Sequence, residues 1–213
     1  MPIFAMMMKW KRGPLLTALI FSAIALPVCG QDYSAESARL AQLLNWHNGS
    51  VVAEIGAGAG EMTEDAAERV TAAGHVYTTE ISAPKLAHLK ELAARSKFHN
   101  ITVIEGSQSG TNLPPECCDS IFMRRVYHHF TEPDKMDASL FQSLKPGGLL
   151  AVIDFPPRSW LPPVEGVPAN RGGHGIPKKI LIEELTRAGF VIASELGDWP
   201  NDNYCVIFRK PEK

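Results

Sequence analysis

Val51-Val52-Ala53-Glu54-Ile55-Gly56-Ala57-Gly58-Ala59-Gly60 decides the fold of this chain. A short, β-branched apolar run ends in an acid, and glycine then stands at every second position. The run is too short for a helix and reads as a buried parallel strand. The glycines let the backbone turn sharply and come close to a ligand. A helix is expected over 61–73, its first N–H groups pointing into the same crevice. Strand, glycine turn and helix in that order build a nucleotide-type pocket at the carboxyl edge of a parallel sheet. The dinucleotide fingerprint G-x-G-x-x-G fails here. Counted from Gly56 its third glycine falls on Glu61, and counted from Gly58 it falls on Thr63. An anion at Glu61 also opposes a pyrophosphate at that helix start, so the expected ligand lacks phosphate.

Working outward, 74–80 reads as the next strand and ends in Glu80, about 20 residues past the last glycine, where an acid accepts hydrogen bonds from ribose hydroxyls. A third strand and its exit run over 101–107, and a fourth over 119–125 leads into Val126-Tyr127-His128-His129-Phe130. A helix over 134–144 is expected to close at Lys145-Pro146-Gly147-Gly148, with one of the two glycines in the left-handed stop conformation. A fifth strand follows over 149–155, then a helix over 177–188 and strands near 190–195 and 204–209. Ahead of the glycine turn, an amphipathic helix begins near Ser34, with Ala38, Leu40, Ala41, Leu43 and Leu44 on its apolar side.

This ordered set resembles the class I S-adenosylmethionine-dependent methyltransferases, and the resemblance covers most of the chain after residue 33. It implies an α/β fold, a Rossmann-like three-layer sandwich around a mostly parallel seven-stranded sheet, with S-adenosylmethionine as cofactor. It places Glu54, Gly56, Gly58 and Gly60 in the first cofactor motif, Glu80 on the ribose and Ile81 against the adenine. Ser107 and Gln108 stand near the adenine amino group, Gly106-Ser107 replacing the Gly-Asp that the family often has. Arg124-Arg125-Val126-Tyr127 stands where the adenine- and glutamine-amide-modifying branches carry Asn-Pro-Pro-Tyr, so a small-molecule methyl acceptor is expected.

Methyl transfer to a protonated nucleophile needs a base, and histidine suits neutral pH. The candidates are His129, His174 and His128, with the plainer reading that the His128-His129 pair only orders its loop. Tyr127 lines the pocket or packs beside it. The Pro- and Gly-rich stretch 155–176 is longer than a strand-to-helix link requires and reads as a substrate-facing cover. Two other classes compete. A nicotinamide-dependent oxidoreductase is disfavoured by the glycine spacing and the lack of a Tyr-x-x-x-Lys pair. A non-catalytic exported module with the same fold draws its support from the N-terminus.

That N-terminus carries Lys9, Lys11 and Arg12 ahead of an apolar run over 15–28. As a helix the run spans ~21 Å, short of the ~30 Å hydrocarbon core. Residues 1–30 therefore read as a signal peptide or short membrane anchor, with a cleavage position near Val28-Cys29-Gly30, and 31–213 as the methyltransferase domain. Export is expected, with transient membrane contact through 15–28, or cytoplasmic residence if the leader is inefficient. The 213 residues suit one sizeable core. The formal net charge is −2, and the three basic residues of the leader leave −5 on the rest. Without a basic cluster, no nucleic-acid partner is expected. Three cysteines after the leader make no even disulfide framework, and no ligand spacing suits a metal.

Overall fold

The computed structural model describes residues 33–201 and 203–212. The expected leader, residues 1–30, and its expected cleavage position lie outside them. A compact unit spans Asp32–Lys213. Its strands are β1 (Val51–Ile55), β2 (His75–Glu80), β3 (Ile101–Glu105), β4 (Cys118–Arg124), β5 (Leu144–Asp154), β6 (Val191–Trp199) and β7 (Asn203–Arg209). Its helices are α1 (Tyr33–Leu43), α2 (Glu61–Val70), α3 (Ala83–Arg95), α4 (Pro133–Ser143) and α5 (Lys178–Arg187). The strands form one sheet in the order β3-β2-β1-β4-β5-β7-β6. β1 to β5 run parallel, and β7 joins β5 and β6 antiparallel. This is the mostly parallel seven-stranded α/β sandwich that the sequence implied.

The strands are continuous in hydrophobicity because both of their faces are covered. Along β5, Leu150 and Val152 belong to one apolar cluster while Ala151 and Ile153 belong to the other. Along β7, Tyr204, Val206 and Phe208 alternate in the same way with Cys205 and Ile207. Leu40 and Leu44 of the α1 region and Met62, Ala66, Ala67 and Val70 of α2 cover one face. Met136 and Leu140 of α4, with Leu181 and Leu185 of α5, cover the other. Strand order reverses between β1 and β4, and loops leaving their carboxyl ends diverge there to open a crevice.

Two expected boundaries shift. α2 ends at Val70 rather than 73 because Thr71 leaves the helix at φ 61°, and its N–H returns to the Ala67 carbonyl. Lys145-Pro146-Gly147-Gly148 is not a helix stop. α4 already ends at Ser143, and the four residues belong to the start of β5, where the Gly147 N–H donates to the Lys210 carbonyl and the Lys210 N–H to that of Gly148. Gly147 does take a positive φ of 78°, but as an irregularity of strand pairing.

Candidate functional site

The crevice at the β1–β4 reversal holds a cavity of about 560 Å³, a size suited to a small-molecule ligand. Its lining comes from the exits of four parallel strands. Ile55 and Gly56 follow β1, Glu80, Ile81 and Ser82 follow β2, Gly106, Ser107 and Gln108 follow β3, and Arg125, Val126 and His129 follow β4.

The three glycines of the turn do three different jobs. A Cβ on Gly56 would stand 2.6 Å from the Val126 side chain, so glycine there lets the β4 exit approach the turn. Gly58, at φ 62°, has nothing within 4 Å of where a Cβ would stand, so the turn leaves open space on its outer side. Gly60 caps α2 at φ 90°, and a Cβ there would stand 2.8 Å from Leu89 and Leu92, which ties the turn to α3. Only Gly56 of the three lines the main cavity. Gly58 faces a shallower recess with Pro84, Lys85 and His88.

Glu80 holds the turn in place. Its Oε2 accepts from the Gly58 N–H at 3.1 Å, and its Oε1 accepts from the N–H groups of Ile81 and Ser82 at 2.9 and 3.1 Å. The Lys85 ammonium lies 3.8 Å away. The carboxylate is buried yet borders the cavity, and a carboxylate has about four acceptor positions, so one remains for a ligand hydroxyl. Ile81 presents an unusually exposed apolar side chain, 55 % accessible, at the same edge. Ser107 and Gln108 also line the cavity. The Ser107 hydroxyl donates to the Gly110 carbonyl at 3.1 Å and Gln108 Oε1 accepts from Thr131 at 3.4 Å, so both are engaged in shaping the loop.

Glu54 lies elsewhere. Strand alternation turns it beneath the glycine loop toward α2, where its Oε2 accepts from the Thr63 hydroxyl at 2.5 Å. It does not line the cavity, and burial pushes its carboxyl up to about 8.

The structure brings the three candidate histidines together. The His128 and His129 rings are 4.0 Å apart, and the His174 ring lies 5.3 and 6.0 Å from them. Of the three, only His129 lines the cavity. Burial, and next the neighbouring His128, push the His129 imidazole down to about 4, so the ring is neutral at pH 7. His128 is buried and donates from Nδ1 to Asp154 Oδ1 at 2.8 Å, while Asp154 also accepts from the N–H groups of His128 and Phe155. Its Nε2 has no partner among the described residues. His174 Nδ1 donates to the Pro162 carbonyl at 2.9 Å, inside the 155–176 stretch.

That stretch does close over the cavity, contributing Val164 and Glu165 to its wall. It is anchored by Arg171, which no sequence signal marked. The Arg171 guanidinium is fully buried. It donates to both oxygens of Glu184 on α5 and to the carbonyls of Tyr127 and Phe130. The Tyr127 hydroxyl sits between Glu184 and Asp137, so Tyr127 is part of this anchor and does not line the cavity. Among the described residues no group of three His, Cys, Asp or Glu side chains is arranged to hold a metal.

Residues 53–152 match the family model described as a methyltransferase domain. An uncharacterized methyltransferase of Geobacillus kaustophilus is 32 % identical over 108 residues, covering 50 % of this chain and 47 % of that protein. A ubiquinone/menaquinone biosynthesis C-methyltransferase of Vibrio campbellii is 28 % identical over 108 residues, covering 50 % and 42 %. The chain thus spans about half the length of the curated relatives it matches. Among solved structures, a SAM-dependent methyltransferase from Aquifex aeolicus aligns with a TM-score of 0.69 at 22 % identity, over 82 % of this chain and 89 % of that one. The [4+2]-cyclase SpnF aligns with the same TM-score at 18 % identity, over 84 % and 82 %. A possible exported protein from Bordetella parapertussis aligns at 0.64 and 18 % identity, over 84 % and 67 %. The cofactor of such domains is S-adenosylmethionine, and the open space over Gly58, the buried Glu80 and the exposed Ile81 fit a nucleoside with an amino-acid tail. Sheet order, glycine turn and family model agree: residues 53–152 carry a methyltransferase domain, on the fold of the S-adenosylmethionine-dependent methyltransferases.

Proposed function

We propose that this chain transfers a methyl group from S-adenosylmethionine to a small-molecule acceptor in the cavity between the β1 and β4 exits. One observation carries the reading: Glu80 is locked to the glycine turn by three N–H groups while still bordering a cavity of about 560 Å³. Bound there, the cofactor supplies an already activated methyl carbon, so the protein's share of the work is positioning and the exclusion of water. Glu80 would take the ribose, Ile81 the adenine face, and the open side of Gly58 gives the ligand close access to the backbone. His129 is the histidine facing the acceptor space. As a neutral imidazole it can accept a proton from the nucleophile, but a base pushed down to about 4 takes one weakly. Orientation therefore carries more of the rate than proton transfer does. His128, fixed by Asp154, packs on His129 and Phe155 and sets the ring's place.

The fold alone does not decide the chemistry, since a [4+2]-cyclase shares it. Calorimetric titration of the leaderless protein tests the reading. Micromolar binding of S-adenosylmethionine or its demethylated product, with no heat from NAD, is expected. The reverse pattern overturns it. Export through residues 1–30 is part of the same proposal, supported by the basic-then-apolar leader and by the likeness to a possible exported protein. A tagged full-length chain that stays intact in the cytosolic fraction would refute the export reading.

A further inference from the structure

Among the described residues three cations line the cavity, and two of them are matched. Lys85 faces Glu80 at 3.8 Å, and Arg124 is held by both oxygens of Glu36 at 2.7 and 3.0 Å. Arg125 has no carboxylate partner among the described residues. Its backbone is also unusual. Arg125 sits at φ 56°, a left-handed conformation that costs a non-glycine residue of order 1 kcal/mol and recurs at functional sites. Its N–H donates to the Ile153 carbonyl at 2.7 Å, which pins the backbone across β5.

The side chain is held just as firmly. Arg125 Nε donates to Asn203 Oδ1 at 3.1 Å, and Asn203 Nδ2 donates to the Pro200 carbonyl at 2.6 Å, which fixes which end of the amide faces the guanidinium. Asn203 is buried at the first position of β7. The Phe155 ring lies 5.7 Å from the Arg125 guanidinium, and Arg158 lies 4.4 Å from the same ring. Burial, then Arg124 and Arg158, hold the Arg125 guanidinium below its ordinary value, and the one carboxylate that opposes them, Glu36, is engaged by Arg124. The two terminal nitrogens of its fork have no partner among the described residues. A half-buried fork, oriented through Nε and short of negative charge, matches a carboxylate in bidentate geometry.

We propose that Arg125 is an anion subsite of this cavity, built for a carboxylate of the small molecule that receives the methyl group. The identity of that molecule as an acceptor rests on the methyltransferase reading, whereas the anion subsite itself does not. The acids nearest the cavity do not fill the role. Glu80 is occupied by three N–H groups and Lys85, and Glu165 is exposed on the cover. Arg125 and His129 border the same cavity, so an acceptor anchored at the first is presented beside the second. The other source of the same chemistry is the carboxylate of the cofactor's own amino-acid tail.

The test compares the wild-type full chain with its Arg125→Gln and Arg125→Lys variants by calorimetric titration. The probes are S-adenosylhomocysteine, which has a carboxylate, methylthioadenosine, which lacks one, and benzoate added to the S-adenosylhomocysteine complex. The expected result is benzoate binding that weakens about 10- to 100-fold in Arg125→Gln, the worth of a hydrogen bond to a charged group. Arg125→Lys should restore part of it, and both nucleosides should bind all three proteins alike. If S-adenosylhomocysteine weakens in Arg125→Gln while methylthioadenosine does not, the acceptor assignment is overturned and the carboxylate belongs to the cofactor. If every probe binds the variants and the wild type equally, or benzoate binds none of them, there is no anion subsite. If neither nucleoside binds the wild type, the methyltransferase reading fails, and benzoate titrated into the free proteins decides the subsite alone.

Discussion

Glu54→Gln should stabilise the protein at pH 8 and leave it almost unchanged at pH 4.5. Glu54 is fully buried under the glycine turn, and burial raises its carboxyl from 4.5 to about 8 against the lowering pull of the Thr63 hydroxyl. The native state therefore holds a proton that the unfolded chain releases above pH 4.5. The side chain's contribution is fully present below the unfolded value and is lost as pH rises through the folded one. A difference of about 3.5 units at ~1.4 kcal/mol each sets an upper bound of ~5 kcal/mol, and water reaching the site would reduce it to roughly half. Glutamine copies the neutral acid in shape and can hydrogen-bond Thr63 without an ionisation to suppress. Asp137, pushed up to about 7 mainly by burial, tilts the wild-type profile in the same direction, so the informative quantity is the difference between the two proteins. Urea unfolding of both at pH 4.5, 6, 7 and 8 measures it. Parallel profiles would mean that Glu54 is ionised in the native state, and the account of a buried neutral carboxyl would fail. Because Glu54 does not line the cavity, cofactor affinity should stay within a few-fold.

Gly58→Val should abolish cofactor binding in a protein that still folds, since its side chain would enter the recess at Gly58, which adjoins the main cavity at Lys85 and into which the proposed ligand extends; retained affinity by calorimetry would confine the nucleoside to the main cavity. Glu80→Ala should weaken cofactor binding by ~1.5–3 kcal/mol, because a charged acceptor is lost and the turn it holds is freed. His129→Asn should lower turnover about 10²–10⁴-fold if the acceptor must lose a proton, with cofactor affinity unchanged. With His129 held near 4, the neutral form dominates above pH 5, so wild-type turnover should be flat from pH 6 to 8. A rise centred near 6.5 would point to another base. A chain starting at Gln31 should unfold at the same denaturant concentration as the full chain, since α1 begins at Tyr33 and the compact unit at Asp32; a lower midpoint would assign 15–28 to the core.

Much of this molecule was readable because its information is local. The strand–glycine–helix unit and the carboxylate at Glu80 depend on spacing along the chain, and the parallel strands announce themselves by apolar runs covered on both faces. α3 escaped the reading although its signals were present: Pro84 in the first turn, then Leu86, Leu89 and Leu92 at helical spacing. Lys-Pro-Gly-Gly misled because glycine after a helix is a frequent stop, and only pairing with residues near 210, some 60 positions away, makes it strand. Motif spacing groups Glu54 with the glycines, but the two-residue period of β1 sends Ile55 and Glu54 to opposite sides of the sheet. Arg125 and Arg171 were not legible. Their meaning lies in Asn203 and in Glu184, contacts that no local pattern encodes.

The anchorage of the 155–176 stretch has a consequence for how ligands come and go. Arg171 ties its far half to α5, and the near half is stitched to the far half by the Arg158 N–H to His174, Val164 to Gly173 and Ile176 to Phe155. Lifting it would withdraw the guanidinium and leave the Glu184 carboxylate buried without its partner, at a cost of several kcal/mol. The roof of the cavity is thus a wall rather than a flap. The ordering entropy that a folding lid would charge against binding has already been spent in folding the domain. Discrimination among ligands then falls on the fixed outline of the cavity, and a molecule of the wrong shape is turned away on arrival instead of being tested by closure.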